Sequence, residues 1–262
     1  PDSVGGRFSF ASSVSISAII ALGSSNFKKI LEGARAVDAH VQQSNIKNNA
    51  PLNLALVDFW NIHALNMKTR AVVPYASYLY SYVEYIQQLE MESNGKGVDV
   101  KGKTLIGQGC PIVWGSCGTN AQHAFFQMLH QSAEPIPVEF IVPINSCCDK
   151  MDSQRILVAN AVAQAEGLLI GRCAEEAKGV INKEGFSPES AKDLLPHRIF
   201  TGNRPSTMLL LDELSPESMG ALMALSEHRT FYLGALIGVN PFDQWGVELG
   251  KTLSKQIFVD LN

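Results

Sequence analysis

The sequence has no hydrophobic run long enough to cross a membrane. Its most apolar early stretch, residues 8–22, is interrupted by five serines, whereas a membrane span needs roughly 20 predominantly apolar residues. We therefore expect a buried helix over residues 8–22. A secretory signal would need basic residues before its apolar core, and residues 259–262 do not form a peroxisomal or ER-retention address. These absences predict a cytoplasmic protein that makes no membrane contact.

Cysteines at metal-binding spacing are also missing. The five cysteines are an odd number and form neither a CxxC pair nor a Cys/His ligand pattern, which argues against a disulfide framework and a zinc site. We expect reduced thiols and no metal. The cysteines are Cys110, Cys117, Cys147, Cys148 and Cys173.

An excess of basic charge is absent as well. The 21 basic and 25 acidic residues leave a net charge of −4, and no basic block could neutralise a run of phosphates on a polymer. Nucleic acid is therefore not an expected partner. No GxGxxG motif follows a predicted strand, so no nicotinamide cofactor is expected either.

What the sequence does contain is enough apolar material for a large core, since 46% of its 262 residues are hydrophobic. Apolar residues at helical spacing predict helices over residues 27–41, 52–66, 79–89 and 153–173. Short apolar runs bounded by proline, glycine or polar residues predict strands at 71–73, 111–114, 138–144 and 207–211.

The middle of the chain has the pattern of a β-α-β unit, with a helix over residues 120–131 between two of these strands. Such a connection normally joins parallel strands. We therefore predict a three-layer α/β fold with a mostly parallel central sheet flanked by helices. Residues 238–246 form the best candidate boundary, which divides the chain into an α/β body at 1–240 and a closing C-terminal helix at 241–262.

Four loops are rich in chemically reactive side chains, and ligand sites in parallel sheets lie beyond the carboxyl ends of the strands. Taken singly, each is ambiguous. Arg7 could be a solvated arginine and Glu92 a carboxylate at a helix end. His123, placed in a first helical turn where the cationic form is disfavoured, could still be an ordinary histidine, and Lys251 a solvated lysine. The loops span residues 3–9, 91–96, 118–125 and 240–251.

Taken together and in order, these loops resemble the glucose-6-phosphate isomerase (phosphoglucose isomerase) family. Residues 2–9, DSVGGRFS, are similar to the family's first signature, and residues 242–251, FDQWGVELGK, to its second. Further segments resemble family motifs in the family's order; they are MESNGK at 91–96, PIVWG at 111–115, GTN with QHAF within 118–125, and GNRPS at 202–206. The likeness runs from the first residues to about Lys251.

The resemblance implies a role for each candidate residue in the interconversion of D-glucose 6-phosphate and D-fructose 6-phosphate. Glu92 corresponds to the base that moves a proton between C1 and C2 of the open-chain sugar. Arg7 would stabilise the cis-enediolate, with Gly6 letting the backbone approach the substrate. His123 and Lys251 correspond to the groups that open the sugar ring, and Lys251 also to a substrate contact. Gln244 corresponds to a contact to the substrate phosphate.

The chemistry of interconverting an aldose and a ketose requires the same kinds of side chain, independently of the family resemblance. Removing a proton beside a carbonyl needs a positioned carboxylate, and the resulting enediolate needs a fixed cation in a water-poor site. No hydride leaves the sugar, so the reaction needs no cofactor.

The resemblance also implies a sugar-isomerase (SIS-like) fold and a homodimer, because in this family the histidine is donated by the neighbouring subunit. Family members are about twice as long, and their first half carries a Ser/Thr-rich loop that holds the phosphate. A complementary N-terminal half is therefore an expected partner.

Two departures affect the loop before His123: Ser116-Cys117 replaces a pair that is often Glu-Pro, and Ala121 replaces a usual glycine. Three alternatives stay open at this point. The substrate range could include mannose 6-phosphate, the chain could be a sugar-phosphate-binding module, or it could be an inactive fragment without the phosphate loop.

Overall fold

The computed structural model describes residues 4–146 and 151–261. Within that part of the chain, four strands form one sheet in the order β2-β1-β3-β4, and every pair is parallel. The predicted parallel sheet and three-layer α/β fold are thereby confirmed. The strands are β1 Thr69–Pro74, β2 Ile112–Gly115, β3 Val138–Asn145 and β4 Ser206–Glu213.

Helices cover both faces of this sheet, which explains why the central strands are continuous apolar runs. Alternate residues of β1 supply the two cores: Ala71 and Val73 face one helical layer, and Val72 faces the other. The helices are α1 Ile16–Leu22, α2 Ser24–Gln43, α3 Ala50–His63, α4 Tyr80–Asn94, α5 Gly118–Ala124, α6 Phe126–Gln131, α7 Met151–Ile170, α8 Ala174–Lys183, α9 Pro188–Arg198, α10 Pro216–Ile237 and α11 Glu248–Asp260.

One layer consists of α5, α6 and α7, and the other of α4 and α10, against which α2 and α3 pack in turn. Helices α2 and α10 cross closely at two glycines. A Cβ on Gly33 would lie 1.8 Å from the Glu217 carbonyl oxygen, and one on Gly220 would lie 1.8 Å from that of Ile30. The crossing therefore requires glycine at both positions.

A buried ionic cluster ties three helices to the amino-terminal half of the sheet. Asp58 of α3 accepts hydrogen bonds from Arg70 of β1 (2.8 and 2.9 Å) and from Arg229 of α10 (2.6 and 2.8 Å). Arg70 also donates to Glu90 of α4 at 2.5 Å, and Arg229 donates to Glu139 of β3. Because five charged groups share this cluster, α3, α4 and α10 are held in register with β1 and β3.

The predicted buried helix over residues 8–22 is wrong. The α-helix spans only Ile16–Leu22, and Ile16 and Ile20 are exposed. Serine hydroxyls in the preceding segment bond to nearby carbonyls, as in Ser9 to Gly6 and Ser12 to Ser9, both at 2.6 Å. Such local bonds compete with those of a helix and keep this stretch in short turns.

The polar segment between α7 and β4 contains two helices, α8 and α9. Ser187 caps α9 by accepting a hydrogen bond from the Ser190 amide, and Pro188 stands in the first turn. The same Ser-Pro-Glu signature opens α10 at Ser215, so it marks a helix start at two places in this chain. The same signal would therefore have found α9.

Several sequence features fall outside the described residues: Asp2 and Ser3 of the first signature, and Cys147 and Cys148. In the part of the chain that is described, no helix has the length and apolar character needed to span a bilayer.

Candidate active site

Glu92 lies at the amino edge of the sheet. Helix α4 follows β1 and runs back along the sheet; its 15 residues extend about 22 Å, roughly the length of the six-residue strand. Its end lies beside the start of β2, since a Cβ on Gly109 would come within 2.0 Å of the Asn94 carbonyl oxygen. The expectation that this loop lies at the carboxyl ends of the strands is therefore wrong.

Arg7 is buried against this helix end, with its side chain 1% exposed. It lies in a short 3-10 helix, Gly6–Phe8. Its Nε donates to Ser93 Oγ at 2.8 Å, and its Nη2 donates to the carbonyl oxygens of Pro241 (2.6 Å) and Asp243 (2.8 Å). These bonds hold the guanidinium by two of its three nitrogens.

Among the described residues, the third nitrogen of Arg7, Nη1, makes only long contacts. It lies 3.5 Å from Gln244 Oε1 and 3.6 Å from Glu92 Oε2. Burial lowers the pKa of Arg7, while Glu92 and Asp243 oppose that shift, and an arginine remains cationic at any physiological pH. A fixed cation therefore presents one loosely occupied edge between Glu92 and Gln244.

Glu92 itself is held by one oxygen. Gln88, one turn earlier on α4, donates from Nε2 to Glu92 Oε2 at 3.3 Å, and this is the oxygen that faces Arg7. Oε1 has no hydrogen-bond partner among the described residues. A carboxylate fixed on one side and free on the other is well arranged to take and return a proton. Gln88 was missed by the sequence interpretation, although its position four residues before Glu92 on one helix face was a usable signal.

The loop after α10 closes the other side of the site. Helix α10 also returns from the carboxyl edge, and it contacts the end of α4 where Asn94 Nδ2 donates to the Thr230 carbonyl at 2.9 Å. Residue 240 and residues 243–247 then line a cleft of about 600 Å³ together with residues 91–92 and 95–100. Glu92 and Gln244 both line this cleft, and Arg7 is buried behind them. Apart from its two chain neighbours, a Cβ built on Gly6 would meet no atom of the described residues within 4 Å, so these residues leave the space over Gly6 open.

His123 lies at the opposite, carboxyl edge. Helix α5 follows β2 directly. Gln122, the residue before His123, donates to the hydroxyl of Tyr75 at 2.8 Å, and Tyr75 immediately follows the end of β1. The helix predicted at 120–131 begins at Gly118 and breaks at Phe125, whose φ is −143°. The break lets the Phe125 ring pack edge-on against Trp114, with centroids 4.8 Å apart.

Two consequences follow for the sequence predictions about this loop. His123 stands in the last turn of α5 and is exposed, so its predicted place in a first helical turn is wrong and the dipole argument built on it does not apply. Ala121, one of the two departures from the family pattern, is fully buried in the core between α5 and the sheet.

Lys251 is exposed on α11. Among the described residues it makes no hydrogen bond or ion pair, and it does not line the cleft. The predicted C-terminal helix exists, but it begins at Glu248, and the preceding residues 243–247 belong to the cleft wall. The structure thus brings Arg7, Glu92 and Gln244 together and leaves His123 and Lys251 apart from them.

The family model for phosphoglucose isomerase matches residues 1–262. The chain belongs to the phosphoglucose isomerase family. It is 46% identical over 254 residues to the glucose-6-phosphate isomerase of Agrobacterium fabrum, and this aligned region covers 97% of this chain and 47% of that protein. It is 44% identical over 260 residues to the Helicobacter acinonychis enzyme of the same name, with 99% and 48% covered.

Solved structures agree with this assignment. A glucose-6-phosphate isomerase from Chlamydia trachomatis superposes with a TM-score of 0.86 at 38% identity, covering 99% of this chain and 48% of that one. A hypothetical protein from Thermus thermophilus superposes with a TM-score of 0.71 at 25% identity, covering 97% and 55%. The chain therefore spans about half the length of the curated relatives it matches.

Proposed function

We propose that this chain carries the proton-transfer site of an enzyme that interconverts D-glucose 6-phosphate and D-fructose 6-phosphate without metal or cofactor. The observation that carries the proposal is the loosely occupied Nη1 edge of Arg7, which lies 3.6 Å from Glu92 and 3.5 Å from Gln244. A base and a polar amide thus line one cleft, with a fixed cation in contact with both, in a family of phosphosugar isomerases.

In the forward direction, Glu92 takes the proton from C2 of the open-chain aldose. The C2–H electron pair forms the C1–C2 double bond, and the carbonyl pair moves to O1, giving an enediolate whose charge Nη1 of Arg7 stabilises. A proton passes from O2 to O1, and Glu92 returns its proton to C1. The product is the ketose, and every proton is accounted for. Oε1 of Glu92, which is free of protein partners among the described residues, is the atom assigned to this transfer.

Ring opening needs an acid and a base at O1 and O5, and we assign His123 and Lys251 to it because of the family resemblance. Since His123 and Glu92 lie at opposite edges of one sheet, we propose that His123 acts in the site of a second copy. A homodimer of C2 symmetry would supply each site with the partner's histidine. A role for Lys251 requires α11 to dock against the cleft in the complete enzyme.

The cleft has few side chains that could bind the phosphate group of the substrate. Gln244 is the residue assigned to it, and one neutral amide is a weak anchor for about two negative charges. We propose that the remaining phosphate contacts come from the part of the relatives that this chain does not match. The complete enzyme, meaning this chain joined to that part, would then work in the cytoplasm.

The experiment is a coupled assay of fructose 6-phosphate conversion on residues 1–262 alone and on the complete enzyme, which can be built with the unmatched half of the Agrobacterium fabrum relative. We expect the lone chain to be nearly inactive, because each lost hydrogen bond to a charged group weakens binding by about 1.5–3 kcal/mol, or roughly tenfold or more. We expect the complete enzyme to turn over after exhaustive chelation and to exchange the C2 proton with heavy water. A complete enzyme that binds fructose 6-phosphate without exchanging that proton would instead be a binding module.

A further inference from the structure

Lys96 lines the same cleft but has no part in the chemistry just described. It follows α4 by two residues, and its side chain is 15% exposed. It lies four residues after Glu92 and approaches the loop at 240–243 from the side of the helix end. A lysine in a phosphosugar cleft would ordinarily be assigned to the substrate phosphate, and its contacts argue against that assignment.

The ammonium group of Lys96 is fully occupied by protein acceptors. Nζ donates to the Ser93 carbonyl oxygen at 2.6 Å and to the Asn240 carbonyl oxygen, and it pairs with Asp243 Oδ1 at 2.7 Å. Its third hydrogen bond goes to the Asp243 carbonyl oxygen at 3.3 Å. An ammonium has three N–H groups, so these acceptors leave none for a substrate.

The residues that Lys96 holds are the ones that position the reacting groups. Ser93 adjoins Glu92, and its hydroxyl accepts the Nε bond of Arg7. Asp243 adjoins Gln244, and its carbonyl oxygen accepts an Nη2 bond of Arg7. Lys96 and Arg7 therefore both bind Ser93, on the α4 side of the gap, and Asp243, on the side of the loop.

We propose that Lys96 is a positioning residue: its ammonium group clamps the C-terminal end of α4 to the loop at 240–243 and so fixes the spacing of Glu92, Arg7 and Gln244. This inference rests on the proposed function. Without Lys96, the Ser93 and Asn240 carbonyls lose a charged donor, the Asp243 carboxylate loses its partner, and Arg7 is left as the only cation that bridges helix and loop within the described residues.

The test uses the complete enzyme with Lys96→Met, which keeps the apolar stem and removes the charge, and with Asp243→Asn, which removes the partner. Lys101→Met is the matched control, because Lys101 is an exposed lysine of the segment that follows α4. We expect kcat to fall about 10²-fold in Lys96→Met, the cost of a small misplacement of catalytic groups, with a much smaller change in KM. Lys96→Arg should recover part of the loss, and Lys101→Met should match the wild type.

Hydrogen exchange of the amides at 240–247, measured without substrate, tests the positioning role of Lys96 independently of the proposed function. Exchange should be faster in Lys96→Met and in Asp243→Asn than in the control, whatever the reaction catalysed. Because the two residues act as one unit, the double variant should be no slower in turnover than the worse single variant. Unchanged exchange, a kcat within about twofold of the wild type, or losses that multiply in the double variant would each overturn the clamp. A wild type without isomerase activity would overturn the proposed function alone.

Discussion

Glu92 and His123 lie at opposite edges of the same parallel sheet, one at the end of a helix that returns from β1 and the other on a helix that leaves β2. The length of a strand, about 20 Å, separates the two edges. Because we propose that these two side chains reach one substrate from different subunits, the pair offers a direct test of assembly.

We expect two inactive variants of the complete enzyme to restore each other. Glu92→Gln lacks the base and His123→Ala lacks the ring-opening group, but a mixed dimer contains one site with both. After denaturation and refolding of an equal mixture, about one quarter of wild-type activity should return, since half of the dimers are mixed and each has one intact site. Mixing either variant with itself is the control. Absence of any recovery would place both residues in the same subunit's site.

Glu92→Gln by itself should lower kcat about 10²–10⁴-fold, because the amide cannot accept the C2 proton. Binding should change little, since amide and carboxylate have similar shapes and the amide oxygen can still face Arg7. Exchange of the C2 proton into heavy water should fall in parallel with turnover. Glu84→Gln, which alters an exposed carboxylate earlier on the same helix, should leave both quantities unchanged. Normal exchange in Glu92→Gln would mean that another group is the base.

Asp58→Asn should destabilise the fold strongly. Burial would raise the pKa of Asp58, but Arg229 and Arg70 outweigh it and hold that pKa below its usual range. A depressed folded-state pKa stabilises the protein above the unfolded-state value, and this contribution disappears as the pH falls through the folded-state pKa. At neutral pH we expect a loss of about 3–5 kcal/mol in the free energy of unfolding, measured by urea denaturation.

The same variant should be less sensitive to acid than the wild type, because the group whose protonation weakens the cluster has been removed. Asp152→Asn is the control, since Asp152 forms an exposed ion pair with Arg155 and such pairs contribute little. Equal effects of the two substitutions would mean that the buried cluster does not stabilise the fold.

Two cysteines should differ sharply in reactivity. Burial raises the pKa of Cys110 to about 12, so its thiol stays protonated and shielded, whereas Cys173 is exposed. With iodoacetamide at mildly alkaline pH, peptide mass spectrometry should find Cys173 modified long before Cys110. In denaturant the two should react at similar rates. Cys110 is buried beside Ala55 of α3 and Leu233 of α10, so early labelling of Cys110 in the native protein would contradict this packing.

The parallel sheet was predictable because its signals are local. Apolar runs such as Ala71–Val73 and the β-α-β spacing are confined to short stretches, and the structure has all four predicted strands in parallel pairs. The errors arose where a local pattern had two outcomes. In residues 8–15, serine hydroxyls bond to nearby carbonyl oxygens, and the chain forms turns where a helix was predicted. At Phe125 the predicted helix is interrupted, and the ring packs against Trp114.

The sequence by itself determined the family and the inventory of reactive groups, because signatures and motifs are read along the chain. Only the tertiary structure decided their arrangement. Arg7 finds Ser93 86 positions away and Pro241 234 positions away, and no periodicity reports such contacts. Helices that return antiparallel to their strands carry Glu92 and Gln244 to the amino edge, while His123, on a helix that has only begun its return, stays at the carboxyl edge. The same geometry brings the Lys96 ammonium between α4 and the loop at 240–243, a role that its place in the sequence motif does not reveal.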